Sequence, residues 1–98
     1  MTTIAITDSP TEIAQTLSAT ETYECQAFGS ELRIFQYRAG PGPGFADPAD
    51  WTNVRDRNPR WPYKSYPDGE RFELSITDNR DRIQVWCPDG QTGAIIAD

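Results

Sequence analysis

Residues 67–96, PDGERFELSITDNRDRIQVWCPDGQTGAII, decide the fold. Phe72, Leu74 and Ile76 alternate with Glu73 and Ser75, and Ile83, Val85 and Cys87 alternate with Gln84 and Trp86. Side chains in a strand point to opposite faces in turn, so a period of two in polarity marks a strand with one face buried. This predicts Ile83, Val85 and Cys87 pointing inward and Gln84 and Trp86 outward. The runs are separated by Pro67-Asp68-Gly69-Glu70, Asp78-Asn79-Arg80-Asp81 and Pro88-Asp89-Gly90. In such turns glycine supplies positive φ and aspartate bonds its own backbone. A last strand follows through Thr92, Ala94, Ile95 and Ile96.

The same period extends upstream. From Thr22 to Phe28, Tyr23, Cys25 and Ala27 share one face, with Glu24 and Gln26 on the other. Gly29-Ser30 can turn the chain into Leu32 to Tyr37, where Leu32 and Ile34 oppose Phe35 and Tyr37. Bulky apolar groups on both faces place this strand under another segment or at a subunit contact. Thr2 to Thr7 is a further strand, with Ile4 and Ile6 on one face. Ser9-Pro10-Thr11-Glu12 combines an N-cap serine, proline at the first helical position and a glutamate that can close a capping box. With Ile13, Ala14 and Leu17 as its apolar side, the helix would run about two turns and close one end of a β structure. Six short strands with turns roughly every 8–12 residues predict a mainly β domain, an antiparallel sandwich or small barrel with one short N-terminal helix.

Residues 39–67, AGPGPGFADPADWTNVRDRNPRWPYKSYP, fit neither pattern and hold six of the eight prolines and two of the three tryptophans. Proline fixes φ and removes a backbone donor, which excludes a central strand or an unbroken helix here. Phe45, Trp51, Trp61, Tyr63 and Tyr66 argue against disorder, because disordered segments are poor in aromatics. The chain thus divides into one domain, 1–98, with a body of 1–38 and 68–98 and an ordered arm of 39–67 that needs something to pack against.

Charge separates the arm from the body. Between Trp51 and Pro67, Arg55, Arg57, Arg60 and Lys64 face Asp56 alone, a local +3 in a chain of net −6, which leaves −9 elsewhere. Arginine and aromatics together are the composition of interface hot spots. The candidate partner interface is Trp51, Arg55, Arg57, Arg60, Trp61, Tyr63 and Tyr66. The same strip could stack on bases and neutralise phosphates, but the acidic body disfavours nucleic acid. Sugar binding through Trp51 or Trp61 is a smaller alternative. No apolar run approaches the roughly 20 residues needed to cross a bilayer, and MTTIAITDSP lacks the basic start and apolar stretch of a signal peptide. The expectation is a soluble, unexported chain.

Reactive groups are scarce. There is no histidine, which removes the usual general base and metal ligand. Cys25 and Cys87 are too few for a structural zinc site or a disulfide scaffold; both fall on apolar parities, as small buried hydrophobes do, and whether they bridge is open. Asp47 with Asp50, and Glu70 with Glu73, are the carboxylate pairs a glycosidase would need, though turns and solvated faces in an acidic chain supply such pairs as background. Asp78, Asp81 and Asp89 lie in turns without calcium-loop spacing. The expectation is no enzyme and no cofactor.

The order Asp68-Gly69-Glu70, Phe72 to Ile76, Ile83 to Trp86 and Asp89 to Ile96, with Ile6-Thr7-Asp8 before a capped helix and Thr22-Tyr23 opening a strand, resembles small β-sandwich structural proteins of tailed bacteriophages. The resemblance covers most of the chain outside the arm. It implies a virion component: a capsid decoration or cement protein, binding the major capsid protein or other virion subunits as a homo-oligomer, with a trimer as one candidate stoichiometry. A tail or baseplate accessory protein or adhesin binding host glycan, and a small acidic host-directed inhibitor, are the alternatives. It carries no functional residues over.

Overall fold

The structure, a computed structural model, describes residues 1–17, 20–38, 63–77 and 80–98. Among these the order is β1 (Thr2–Ile6), β2 (Thr11–Glu12), α1 (Ala14–Leu17), β3 (Thr22–Phe28), β4 (Leu32–Arg38), β5 (Lys64–Tyr66), β6 (Arg71–Ser75), β7 (Asp81–Trp86) and β8 (Gly93–Ala97). The strands form two four-stranded sheets, β1-β8-β3-β6 and β2-β7-β4-β5. Every pairing is antiparallel. The protein is mainly β, as the alternation predicts. β2 and β5, of two and three residues, were not foreseen: neither is long enough to show a period.

Register converts the alternation into a core. Cys25 faces both Phe72 and Ala97, and Ala27 faces Ile95, so the apolar parities of β3, β6 and β8 coincide. In the other sheet Ile34 faces Val85. Ile6, Ala27 and Ile95 from one sheet and Leu32, Ile83 and Val85 from the other are fully buried in one cluster. Two sheets sharing one core are compatible with a β-sandwich. Each of the isoleucine, leucine and valine side chains among them contributes about 1.5–3 kcal/mol on leaving water, offset largely by chain entropy.

The turns fix the register. Glu70 N–H donates to Pro67 O and Gln91 N–H to Pro88 O, both at 3.0 Å. Gly69 and Gly90, third in each turn, have φ of 89° and 76°, the left-handed region that a type II turn requires there. Asp68 Oδ1 accepts from Gly29 N–H at 2.8 Å and Asp8 Oδ2 from Gly90 N–H at 3.0 Å, tying turns to neighbouring strand ends. At Gly93 a Cβ would lie 2.6 Å from Phe28 O, so only glycine lets β8 approach β3 this closely.

The N-terminal helix departs from its prediction. Thr11 and Glu12 are drawn into β2, opposite Val85 and Gln84, and Ile13 N–H donates to Ile83 O at 3.0 Å. The ladder bonds to β7 and the complete burial of Ile13 outweigh a helical turn begun at Pro10. The helix starts at Ala14 and is described for one turn, with Leu17 N–H donating to Ile13 O at 3.0 Å. Glu12 still caps it, from a different position: Oε1 accepts from Ala14 N–H at 2.8 Å and Oε2 from Gln15 N–H at 3.1 Å.

Gln84 and Trp86 hold the parity opposite Ile83 and Val85, yet both are buried, at 3% and 4% exposure. At β7 the outer side of the second sheet is therefore covered, and Trp86 lies apart from the main core cluster.

Candidate functional site: an aromatic and cationic edge around β5

Lys64–Tyr66, inside the expected arm, pairs with β4 as Leu32↔Tyr66, Arg33↔Ser65 and Ile34↔Lys64. The pairing gives Tyr66 the inward parity of Leu32. Tyr63, three positions earlier, has the outward parity of Ser65 and Arg33. The two tyrosines are thus brought to one edge but sent to opposite faces of the sheet.

On the inner side the Tyr66 ring stacks on Phe72 of β6, centroids 3.9 Å apart and planes inclined by 15°. β5 and β6 are edge strands of their respective sheets, and this stack joins the two layers at that edge. Lys64 Nζ sits 5.5 Å from the Tyr66 centroid. Gln36 Nε2 donates to Ser75 O, 2.6 Å away, and adds a polar tie between the sheets.

On the outer side Tyr63 meets Trp86 edge to face, at 5.5 Å and 71°. The Arg33 guanidinium lies over the Tyr63 ring at 5.3 Å and is held by Glu31 Oε2, 3.0 Å from Nε. Edge-on aromatic pairs and cation–π contacts follow from the ring quadrupole, negative on the face and positive at the rim. Trp86 is buried while Tyr63 remains 45% exposed, so a second side chain can still reach the tyrosine. A groove of about 430 Å³ runs beside it, lined in part by Ile34, Phe35, Tyr63, Lys64, Tyr66 and Glu73.

Neither thiol is primed as a nucleophile, since burial holds both in the protonated form. Burial pushes the Cys25 thiol from the usual 9.0 to about 11, against a smaller opposing effect from a backbone hydrogen bond to Leu74. Cys87 is also raised, by burial first, with a Ser30 hydrogen bond opposing and the Asp8 charge adding. Both are free thiols, which closes the question of a bridge. Among the described residues no three His, Cys, Asp or Glu side chains gather around a metal position, and no helix is long and apolar enough to cross a membrane.

Of the seven predicted interface residues, Tyr63 and Tyr66 are placed as above; Trp51, Arg55, Arg57, Arg60 and Trp61 lie outside the described residues, as do Phe45, Asp47 and Asp50. Arg33, Phe72 and Trp86 join the edge without having been singled out for it. Trp86 carried a signal, a large aromatic on the polar parity of its strand. Arg33 and Phe72 carried none, because their neighbours depend on pairings between strands far apart in sequence. No protein-family model, curated protein or solved structure matches the chain.

Proposed function

We propose that this protein is a non-enzymatic structural component of a bacteriophage virion, a capsid decoration or cement protein that binds capsid or neighbouring subunits through residues 51–66. The observation that carries the reading is Tyr63, packed between Arg33 and Trp86 yet 45% exposed. It provides an aromatic platform immediately C-terminal to the stretch that holds Trp51, Arg55, Arg57, Arg60 and Trp61. Aromatics supply contact area at roughly 25 cal/mol per Å² before association costs. The arginines add charge-assisted bonds that fix orientation more than they add affinity, and on a capsid lattice many weak contacts act together. The virion assignment itself rests on the resemblance of turn and strand order.

The groove beside Tyr63 favours a second reading, an adhesin in which a sugar ring stacks on the tyrosine with Lys64 and Glu73 alongside.

Co-sedimentation with tailed-phage capsids tests the proposal. The wild-type chain should pellet with the particle, and Trp61→Ala combined with Arg60→Ala should remain folded and stay in the supernatant. A wild-type chain that never joins any particle but binds a glycan array would replace the proposal with the adhesin. Unfolding of the double variant would assign those residues to the core.

A further inference from the structure

The outer face of the β1-β8-β3-β6 sheet exposes Glu24, Phe28, Arg71 and Glu73, unlike the β7 stretch of the second sheet's outer side, where Gln84 and Trp86 are buried. One end is apolar: Phe28 is 60% exposed, its register partner is Ala94, and the next pair is Gln26 and Ile96. The other end is acidic. Glu24 is the direct partner of Glu73, and on its other side exchanges backbone bonds with Asp98, Glu24 N–H to Asp98 O at 3.2 Å and Asp98 N–H to Glu24 O at 2.9 Å. Three carboxylate residues thus lie in one row across β6, β3 and the end of β8, at a concavity of about 470 Å³. Arg71 borders it, and the Met1 amine is 3.6 Å from Asp98 Oδ1. Neither Glu24 nor Glu73 has an ion-pair partner among the described residues. Like charges directly opposite on neighbouring strands destabilise a sheet, so a further cation placed over this row would stabilise it.

We infer that this face is the docking surface for residues 51–62 of a second copy of the chain. The inference deepens the assembly reading above and rests on it. That segment, WTNVRDRNPRWP, carries Arg55, Arg57 and Arg60 against Asp56 alone, with Trp51 and Trp61 at its ends. Its basic and apolar groups match the acidic and apolar ends of the face, a complementarity that selects a partner and sets its register. The segment and the face belong to the same chain, so each copy offers both halves of the contact and a closed symmetric assembly satisfies all of them.

A charge exchange tests it by sedimentation velocity on the full chain. Wild type should self-associate, and the association should weaken as salt rises. Glu24→Lys with Glu73→Lys, and separately Arg55→Glu with Arg57→Glu and Arg60→Glu, should each weaken it at least about tenfold through like-charge contact. An equimolar mixture of the two variants should restore it, because each face then meets a segment of opposite sign. Glu24→Gln with Glu73→Gln, which adds no charge to the fold, should weaken association without loss of thermal stability. Wild-type association that survives both face variants overturns this surface while leaving the assembly reading standing. A wild type that is monomeric at every concentration also overturns it, and co-sedimentation with capsids then decides the broader reading separately.

Discussion

The Tyr66 ring lies nearly flat on Phe72, 3.9 Å between centroids, and each residue comes from an edge strand of its sheet. Both are only partly buried and pack against the core cluster from its rim. The stack therefore works as a clasp between layers rather than as part of the interior. Phe72→Ala should lower unfolding free energy by about 2 kcal/mol, from lost burial and the lost ring pair. Tyr66→Phe should cost well under about 1 kcal/mol, because the stack survives it. Urea titration of both variants checks this, and equal losses would mean that the tyrosine hydroxyl contributes as much as the stack.

Tyr63 reports on the outer side of the same edge. Its ring covers part of Trp86, 5.5 Å away, and Trp86 is otherwise well buried. In a background of Trp51→Phe and Trp61→Phe, where Trp86 is the sole indole, Tyr63→Ala should shift fluorescence emission to the red and raise its quenching by acrylamide. The ring pair should account for about 1 kcal/mol of stability. Unchanged emission would show that other groups bury the indole unaided.

Cys25 gives a pH dependence with a definite sign. Its folded thiol is raised from 9.0 to about 11 by burial, so the unfolded chain loses its proton first as pH rises. Below 9.0 both states hold the proton and this group contributes its full stability. Between 9.0 and about 11 the unfolded state is progressively favoured, a loss of about 2 kcal/mol from this one group. Comparing wild type with Cys25→Ala from pH 8 to 11 isolates the contribution of this one thiol. The two stability curves should converge toward alkaline pH, and parallel curves would refute the shift. Native protein should also react slowly with thiol reagents, since both sulfurs are buried and held as thiols.

The long strands were legible because each buries one face, and polarity records that directly: Phe72-Glu73-Leu74-Ser75-Ile76 needs no partner to be read. Three features were not. β5 is three residues beside Pro62 and Pro67, and its pairing with Leu32 to Ile34 is a long-range choice that leaves no local period. Trp86 points outward as its parity predicts, but its burial depends on what lies over the sheet, which alternation cannot encode. Ser9 to Glu12 is a strong helix-start signal, overridden by an exposed edge of β7 that captures two residues of it. The candidate site followed the same division. Its aromatic and basic composition could be read from the chain, whereas the placement of Tyr63 and Tyr66 on opposite faces depended on register with β4.

Glu12 shows how the displaced helix start was accommodated, and it yields the sharpest stability test. Besides capping Ala14 and Gln15, Oε1 accepts from Ile83 N–H at 3.1 Å, while the Ile83 carbonyl accepts from Ile13 N–H at 3.0 Å. One carboxylate thus satisfies the first turn of the helix and the donor at the point where the β2–β7 ladder stops. Glu12→Ala leaves three backbone donors without this acceptor. The loss of the cap and the poorly solvated Ile83 N–H should together cost about 2–3 kcal/mol. Glu12→Gln keeps one acceptor oxygen but sets an amide N–H₂ against a backbone donor, so its cost should be intermediate, about 1 kcal/mol. Denaturant unfolding orders the three proteins, and amide hydrogen exchange at Ile83 separates this account from a purely helical one. Glu12→Ala should accelerate exchange at Ile83 as well as at Ala14 and Gln15. Acceleration confined to the helix would mean that the sheet donor finds another acceptor, and that Glu12 is a cap alone.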